Sequence, residues 1–307
     1  MSKAARIREK TARERIAAQQ AAAKRKEARR RVIIFSSSIL AVVAVIVGFV
    51  VAYDLRSSSN KPATAASAGV RGTVLPASTA AEVTRVPAGT LNAVGGGSVL
   101  TYQNVTYTGP PVVKISAKPL TSGGKPEMLY IGAEYCPYCG AMRWSMAVAL
   151  SRFGSFTTPL RGIHSSSTDV DPSTPTLTFY QAGYQSKYFT FTPVENEAAN
   201  GTVLQATTSD QQALWQKYDT GSNGYTGFPF IDFGNKTLIK LPLYDPGLLK
   251  GLTWAQVAAA LRSPSSPVAQ AILGTANYMT AAICTMTGHN PAAVCGASSI
   301  KRLETGL

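Results

Sequence analysis

Behind three consecutive arginines, Arg29 to Arg31, the chain runs from Val32 to Tyr53 without a single charge. As a helix rising ~1.5 Å per residue, this run reaches about 33 Å, enough to cross a ~30 Å hydrocarbon core. Ser36, Ser37 and Ser38 are tolerable there, because a helical serine bonds its own backbone. Tyr53 stands where an interfacial aromatic belongs. The run therefore divides the chain before any other feature is weighed. A cleaved signal peptide has an apolar region of roughly 7 to 15 residues and a small-residue cleavage site, and the flank VAYDLR, residues 51–56, offers none.

Charge gives the orientation. The net charge of +14 suggests a nucleic-acid binder, but residues 1–31 hold 12 Lys/Arg against 3 Asp/Glu, so the basicity belongs mainly to a tail. Short basic flanks stay in the cytoplasm. The expected arrangement is a single-pass cell-membrane protein with residues 1–31 as a cytoplasmic tail, 32–53 as the transmembrane helix and the C-terminal part outside. The tail is rich in Ala, Arg and Glu, with Ile7 and Ile16 its only large apolar residues. It reads as a solvated helix touching anionic lipid headgroups, with membrane lipid and not nucleic acid as its partner.

From 54 to 98 the composition turns to Ser, Ala, Thr, Gly and Pro, which predicts a flexible linker with a reach of roughly 35 to 40 Å. AAEVTRVPAGTLNAV, residues 80–94, has the alternative of a short ordered lead-in. Residues 99–307 then form the expected extracytoplasmic domain. Residues 99–107 and 112–115 look like leading strands, and EMLYIGAE, 127–134, like a buried strand. Pro137 marks the first turn of a helix carrying Met142, Met146, Leu150 and Phe153 at helical spacing, up to Gly154. LRGIHS, 160–165, predicts the second strand of a βαβ unit. After a turn-rich detour with strand-like 177–181 and 188–194, Ser209 and Gln212 suggest a capping box. Residues 228–233 and 236–241 flank Gly234 and Asn235, a two-residue hairpin signal. Thr253 and Gln256 open another helix, Ser266 and Pro267 a longer one ending near Gly288, and Asn290 and Pro291 a short last one.

The chemistry lies in EYCPYCGAMRW, residues 134–144. With the strand ending near Glu134 and the helix starting at Pro137, Cys136 falls at a helix N-terminus, where free N–H groups and the helix dipole favour a thiolate. Cys139, one turn in, is better covered. An accessible acidic sulfur beside a resolving sulfur is what thiol–disulfide exchange needs. Zinc needs about four ligands, and one Cys pair with His164 and His289 on offer is a poor set, so no metal and no cofactor are expected. A purely structural Cys136–Cys139 disulfide remains as an alternative. Cys284 and Cys295 flank a turn at Gly288 to Asn290 and read as a structural disulfide, or alternatively as an electron-relay pair. Glu134 could move protons or be a solvated strand end; Arg143 could border the site, while Trp144 reads as core. His164 has no evident partner.

The order of strand, CxxC at a helix start, strand, helix, hairpin and helix resembles the thioredoxin fold. The resemblance implies a cis proline before the third core strand, lying against the CxxC and presenting the substrate chain, and by position this role falls on Pro229, with Phe228 before it. CPYC is similar to the glutaredoxin motif, but the glutathione-binding elements of that family are not evident. YIGAEYCPYCGAMRWSMAVALSRFG, residues 130–154, resembles more closely the thioredoxin-like family catalogued as domain of unknown function 929, found in archaea and actinobacteria and often behind an N-terminal anchor. That family brings no established activity.

The expectation is an α/β thioredoxin-like fold with an inserted segment and a C-terminal helical extension, preceded by one transmembrane helix. Its expected function is thiol–disulfide exchange on exported protein thiols or disulfides, with a redox partner in the membrane. Cys136 attacks, Cys139 resolves and Pro229 presents the substrate, bordered by Glu134, Pro137, Tyr138 and Phe228. The alternative is a non-catalytic envelope binding module on the same fold.

Overall fold

The computed structural model describes residues 71–97, 101–102, 105–106, 111–220 and 226–307. The expected tail and transmembrane helix, and the linker up to residue 70, lie outside the described residues. Among the described residues no helix is long and apolar enough to cross a membrane.

The centre is a mixed α/β sheet whose strands run in the order β11 (Thr190–Glu197), β6 (Lys125–Ala133), β12 (Phe230–Phe233), β13 (Thr237–Ile239) and β4 (Val113–Lys114), with β5 (Thr121–Ser122) forming a hairpin onto β6. β11 is parallel to β6, whereas β12, β13, β4 and β5 pair antiparallel. β6 is apolar on both faces because both are covered. Met128 and Tyr130 point into a large core with Ile231, Phe233 and Ile239, filled from one side by α3 (Pro137–Leu150) and α6 (Pro267–Met286). Leu129 and Ile131 point the other way, into a smaller core with Val194, Phe230, Leu238 and Trp215 of α4 (Ser209–Asp219). Helices therefore sandwich the sheet.

Three expectations are corrected. First, residues 71–97 are not linker but belong to the same compact unit as the rest. They carry β1 (Thr73–Val74), α1 (Ala77–Thr84) and α2 (Ala88–Val94), and they bury Leu75, Val83, Leu91 and Val94 in the large core. Asn277 of α6 donates to the carbonyls of Leu91 (2.8 Å) and Gly95 (2.7 Å), satisfying the end of α2. Their composition hid this, since a helix of small residues needs only a few apolar anchors once packing supplies the stability. Second, β8 (Arg161–His164) does not close a βαβ unit with β6. It pairs antiparallel with β1 and β9 (Pro175–Thr178) in a separate sheet, and the parallel neighbour of β6 is β11. Third, the capping box of α4 is Thr208 with Gln211, one residue earlier than expected. Thr253 and Gln256 do cap α5 (Trp254–Ala260).

Short strand pairs occupy the remaining positions: β2 (Thr101–Tyr102) with β3 (Val105–Thr106), and β7 (Gly154–Phe156) with β10 (Tyr184–Ser186). The chain ends in α7 (Ala292–Cys295) and α8 (Ser298–Glu304), the latter absent from the sequence expectation. Cys284 and Cys295 are bonded, with Cα atoms 5.6 Å apart, joining the end of α6 to α7. On the chain-entropy account, closing so short a loop contributes about 3 kcal/mol.

The β12–β13 turn holds an unusual carboxyl group. Gly234 and Asn235 both have positive φ (68° and 57°), the two-residue geometry that suits the twist of a hairpin. The Asp232 carboxyl accepts the Asn235 N–H at 2.6 Å, while its other oxygen is buried without a partner. Burial pushes its pKa up to about 7, opposed by that N–H and reinforced by Glu127. The unfolded value is ~3.9, so between pH ~4 and ~7 the folded state binds the extra proton. Stability from this group is full at acid pH, falls through that window and is lowest above it. Asp219, pushed up to about 6 by burial, slopes the same way. Asp232→Asn, compared with the wild type by urea unfolding at pH 4.5 and pH 8, is expected to gain roughly 2–4 kcal/mol more at the higher pH. Equal differences at the two pH values would rule out the buried acid.

Candidate functional site

β6 ends at Ala133 and α3 starts at Pro137, so the two cysteines fall at a strand–helix joint. Cys136 is the N-cap, in extended backbone (φ −75°, ψ 119°), and Pro137 follows at the first helical position, where its missing N–H costs nothing. The Cys136 sulfur accepts the Cys139 N–H at 3.3 Å, taking the place that a serine or aspartate oxygen fills in most caps. Every residue of α3 except Tyr138 is buried, so the helix is a core element that fixes the joint rigidly.

Both cysteines are free thiols and both are buried; Cys136 keeps 5% of its surface and Cys139 none. The Cys136 sulfur is thus less accessible than expected. Its cover consists of aromatic rings: Tyr135, Tyr138 and Phe228 pack against a cluster of Ala133, Cys136 and Cys139. The Tyr135 and Phe228 rings meet edge to face at 6.3 Å, and Phe228 stacks on Trp215 at 5.0 Å. The Phe228–Pro229 peptide is cis and Pro229 is buried beside this cluster's Phe228.

The sulfurs differ in acidity. A hydrogen bond from the Cys139 thiol, then the helix N–H groups and the Arg143 cation, outweigh burial and hold Cys136 below the usual thiol range. Burial, and then the role of donor to Cys136, push Cys139 well above it. The pair can therefore carry one negative charge, on Cys136.

Beneath the pair lies a buried cation that the sequence signalled only as the one charge in an apolar helix. Arg143 stands one turn after Cys139, on the same helix face. Its guanidinium donates to both carboxylate oxygens of Glu195 on β11 (2.8 and 2.7 Å) and to the Ala133 carbonyl (2.6 Å), and neither side chain of the ion pair has any exposed surface. Burial works against the charge, and Glu195 together with Tyr130 and Cys139 offsets it, so Arg143 stays a cation. Its Nη1 has no partner. The Tyr130 hydroxyl, also unpartnered, occupies the space where a side chain on Gly132 would begin, so only glycine fits there. Burial raises the Tyr130 pKa well above its ordinary value, which leaves a neutral phenol beside the guanidinium.

Glu134 is not a solvated strand end: its buried carboxylate accepts from Thr178 (2.7 Å) and Arg71 (2.8 Å). Trp144 is core and donates to the Pro175 carbonyl. His164 is exposed, with its ring 4.8 Å from that of Trp254. His289 has its Nδ1 3.2 Å from a Glu304 carboxylate oxygen. Among the described residues no group of three or more His, Cys, Asp or Glu could hold a metal ion. Sequence reasoning missed Glu195, Thr178 and Arg71, because each meets the site only through long-range packing.

Comparison with known proteins gives one result. No curated protein and no solved structure matches the chain. The family described as Domain of unknown function (DUF929) matches residues 111–285, more than half of the chain and all of the dithiol site. The chain therefore belongs to the DUF929 family.

Proposed function

We propose that the protein is a membrane-anchored, extracytoplasmic thiol–disulfide oxidoreductase on a thioredoxin-like fold, acting on exported proteins. The observation that carries this reading is the placement of two free cysteines one turn apart at a helix start, Cys136 as the N-cap accepting the Cys139 N–H, an arrangement that favours the thiolate on Cys136. Thiolate attack by Cys136 forms a mixed disulfide, and Cys139 then expels the product thiol to close the Cys136–Cys139 bond. The high acidity barrier at Cys139 keeps it protonated until the mixed disulfide removes the charge on Cys136. Phe228, packed against the pair, supports the substrate-presenting role that the resemblance implies for Pro229. The uncharged run from Val32 to Tyr53 behind Arg29 to Arg31 supports the anchor and its orientation. Stabilising the Cys136 thiolate favours the reduced form, which makes the oxidised pair the stronger oxidant.

A second reading, a non-catalytic binding module, draws on the near-complete burial of Cys136. The reduction potential of the pair separates the two. Equilibration of the full chain in thiol redox buffers, read by mass-resolved alkylation, is expected to give a value between about −120 and −270 mV, as in working oxidoreductases. A value below about −300 mV would mark a structural disulfide and leave the binding module.

A further inference from the structure

A cleft of about 500 Å³ opens beside Tyr135, the residue directly before Cys136. One wall is the loop after β8, with Ser166, Asp169 and Val170; the other is the turn after β11, with Glu197 and Asn200. Backbone hydrogen bonds tie both walls to the approach to the dithiol: Ser166 N–H to the Tyr135 carbonyl at 2.9 Å, and Glu134 N–H to the Glu197 carbonyl at 2.7 Å. The cleft therefore keeps a fixed position relative to Cys136.

Its chemistry is one-sided. Asp169 and Glu197 bring two carboxylates, no Lys or Arg lines the cleft, and among the described residues neither carboxylate sits in an ion pair. Both lie close enough to help burial push the Tyr135 hydroxyl up to about 12. This is a local reversal, since residues 32–307 hold 18 Lys/Arg against 13 Asp/Glu. Val170, 70% exposed, adds an apolar side chain to the edge of the cleft. The Tyr135 ring, two carboxylates and the exposed Val170 complement an extended polypeptide with a basic side chain next to an apolar one.

We infer that this cleft selects the substrate of the dithiol, taking extended segments of exported proteins in which Lys or Arg lies next to the reacting cysteine. The inference deepens the proposed function and rests on it. Both walls come from the segment between α3 and α4, one from the loop after β8 and the other from the end of the core strand β11 and the turn that follows it.

The test uses the reduced full chain in detergent and two short peptides, each with one cysteine in a mixed disulfide with a nitrothiobenzoate. One peptide has Lys and Leu beside the cysteine, the other Glu and Leu. The Cys136 thiolate attacks the peptide sulfur, the old S–S bond breaks, and the nitrothiobenzoate leaves with the electron pair as a coloured thiolate. At low salt the Lys peptide is expected to react about tenfold faster, with the ratio falling toward one near ~1 M salt and in the Asp169→Asn/Glu197→Gln variant. Equal rates for the two peptides, or a ratio unchanged in the double variant, would overturn the inference. A small neutral disulfide serves as the control for the underlying chemistry, since inertness toward it sinks the oxidoreductase reading alone. The cleft is then read by binding of cysteine-free versions of the peptides: preference for the Lys form, lost in the double variant, supports it, and no preference overturns it. Self-association of the chain abolished by the double variant would instead assign the cleft to a second copy and also overturn it.

Discussion

Cys136→Ser is expected to slow exchange with a small neutral disulfide by on the order of 10³-fold or more, because the thiolate is the nucleophile and a serine hydroxyl stays protonated. The fold should survive. Serine is a good N-cap and its oxygen can accept the Cys139 N–H that the sulfur now takes, so the stability change should stay near 1 kcal/mol. Cys139→Ser makes a different prediction: attack proceeds, the mixed disulfide with Cys136 accumulates, and turnover stops. Stopped-flow kinetics with thermal unfolding of each variant would check both. A Cys136→Ser protein that keeps its rate would end the proposed mechanism, and one that unfolds would shift the weight to a structural role for the pair.

Arg143→Met is expected to cost about 3–5 kcal/mol, the penalty for leaving the Glu195 carboxylate buried without its cation. What remains for that carboxylate is the Phe179 N–H at 3.0 Å, which is too little to hold a charge in the core. Replacing the pair together, as Arg143→Met/Glu195→Leu, should recover most of the loss, since apolar side chains of similar volume often serve a core as well as an ion pair does. Urea unfolding of the two variants measures this. A second readout addresses the chemistry. With the cation gone from below the dithiol, the pH at which Cys136 becomes reactive to iodoacetamide should rise in the double variant, whose fold is intact. An unmoved midpoint would make Arg143 a packing device and nothing more.

The parts of this molecule that the sequence made legible are those governed by local signals. Pro137 opens α3, although the helix stops at Leu150, short of Phe153 and Gly154; Gly234 and Asn235 mark the hairpin, and Thr253 with Gln256 marks a helix start; each acts through its own backbone within a few residues. The joint that carries the dithiol could therefore be located by reading. The partners could not, because Arg143 finds Glu195 across 52 residues and Arg71 finds Glu134 across 63, and nothing in either segment announces the meeting. The misplaced β8 has the same origin: a short run whose only large apolar residues are Leu160 and Ile163 is compatible with several neighbours, and its pairing with β1 depends on a segment whose composition read as linker.

The ion pair between Arg71 and the buried Glu134 bears on where this chain can be cut. Trimming at residue 99, the boundary that composition suggests, would remove Arg71 together with α1 and α2, leaving Glu134 without its cation two residues before Cys136 and exposing the face of α6 that those helices cover. Trimming to the family-matched segment, 111–285, would in addition separate Cys284 from Cys295. The span over which relatives share sequence and the span that folds are thus different lengths of chain. A nick just after Arg71 would cut the chain beside the cation that holds Glu134, two residues before Cys136.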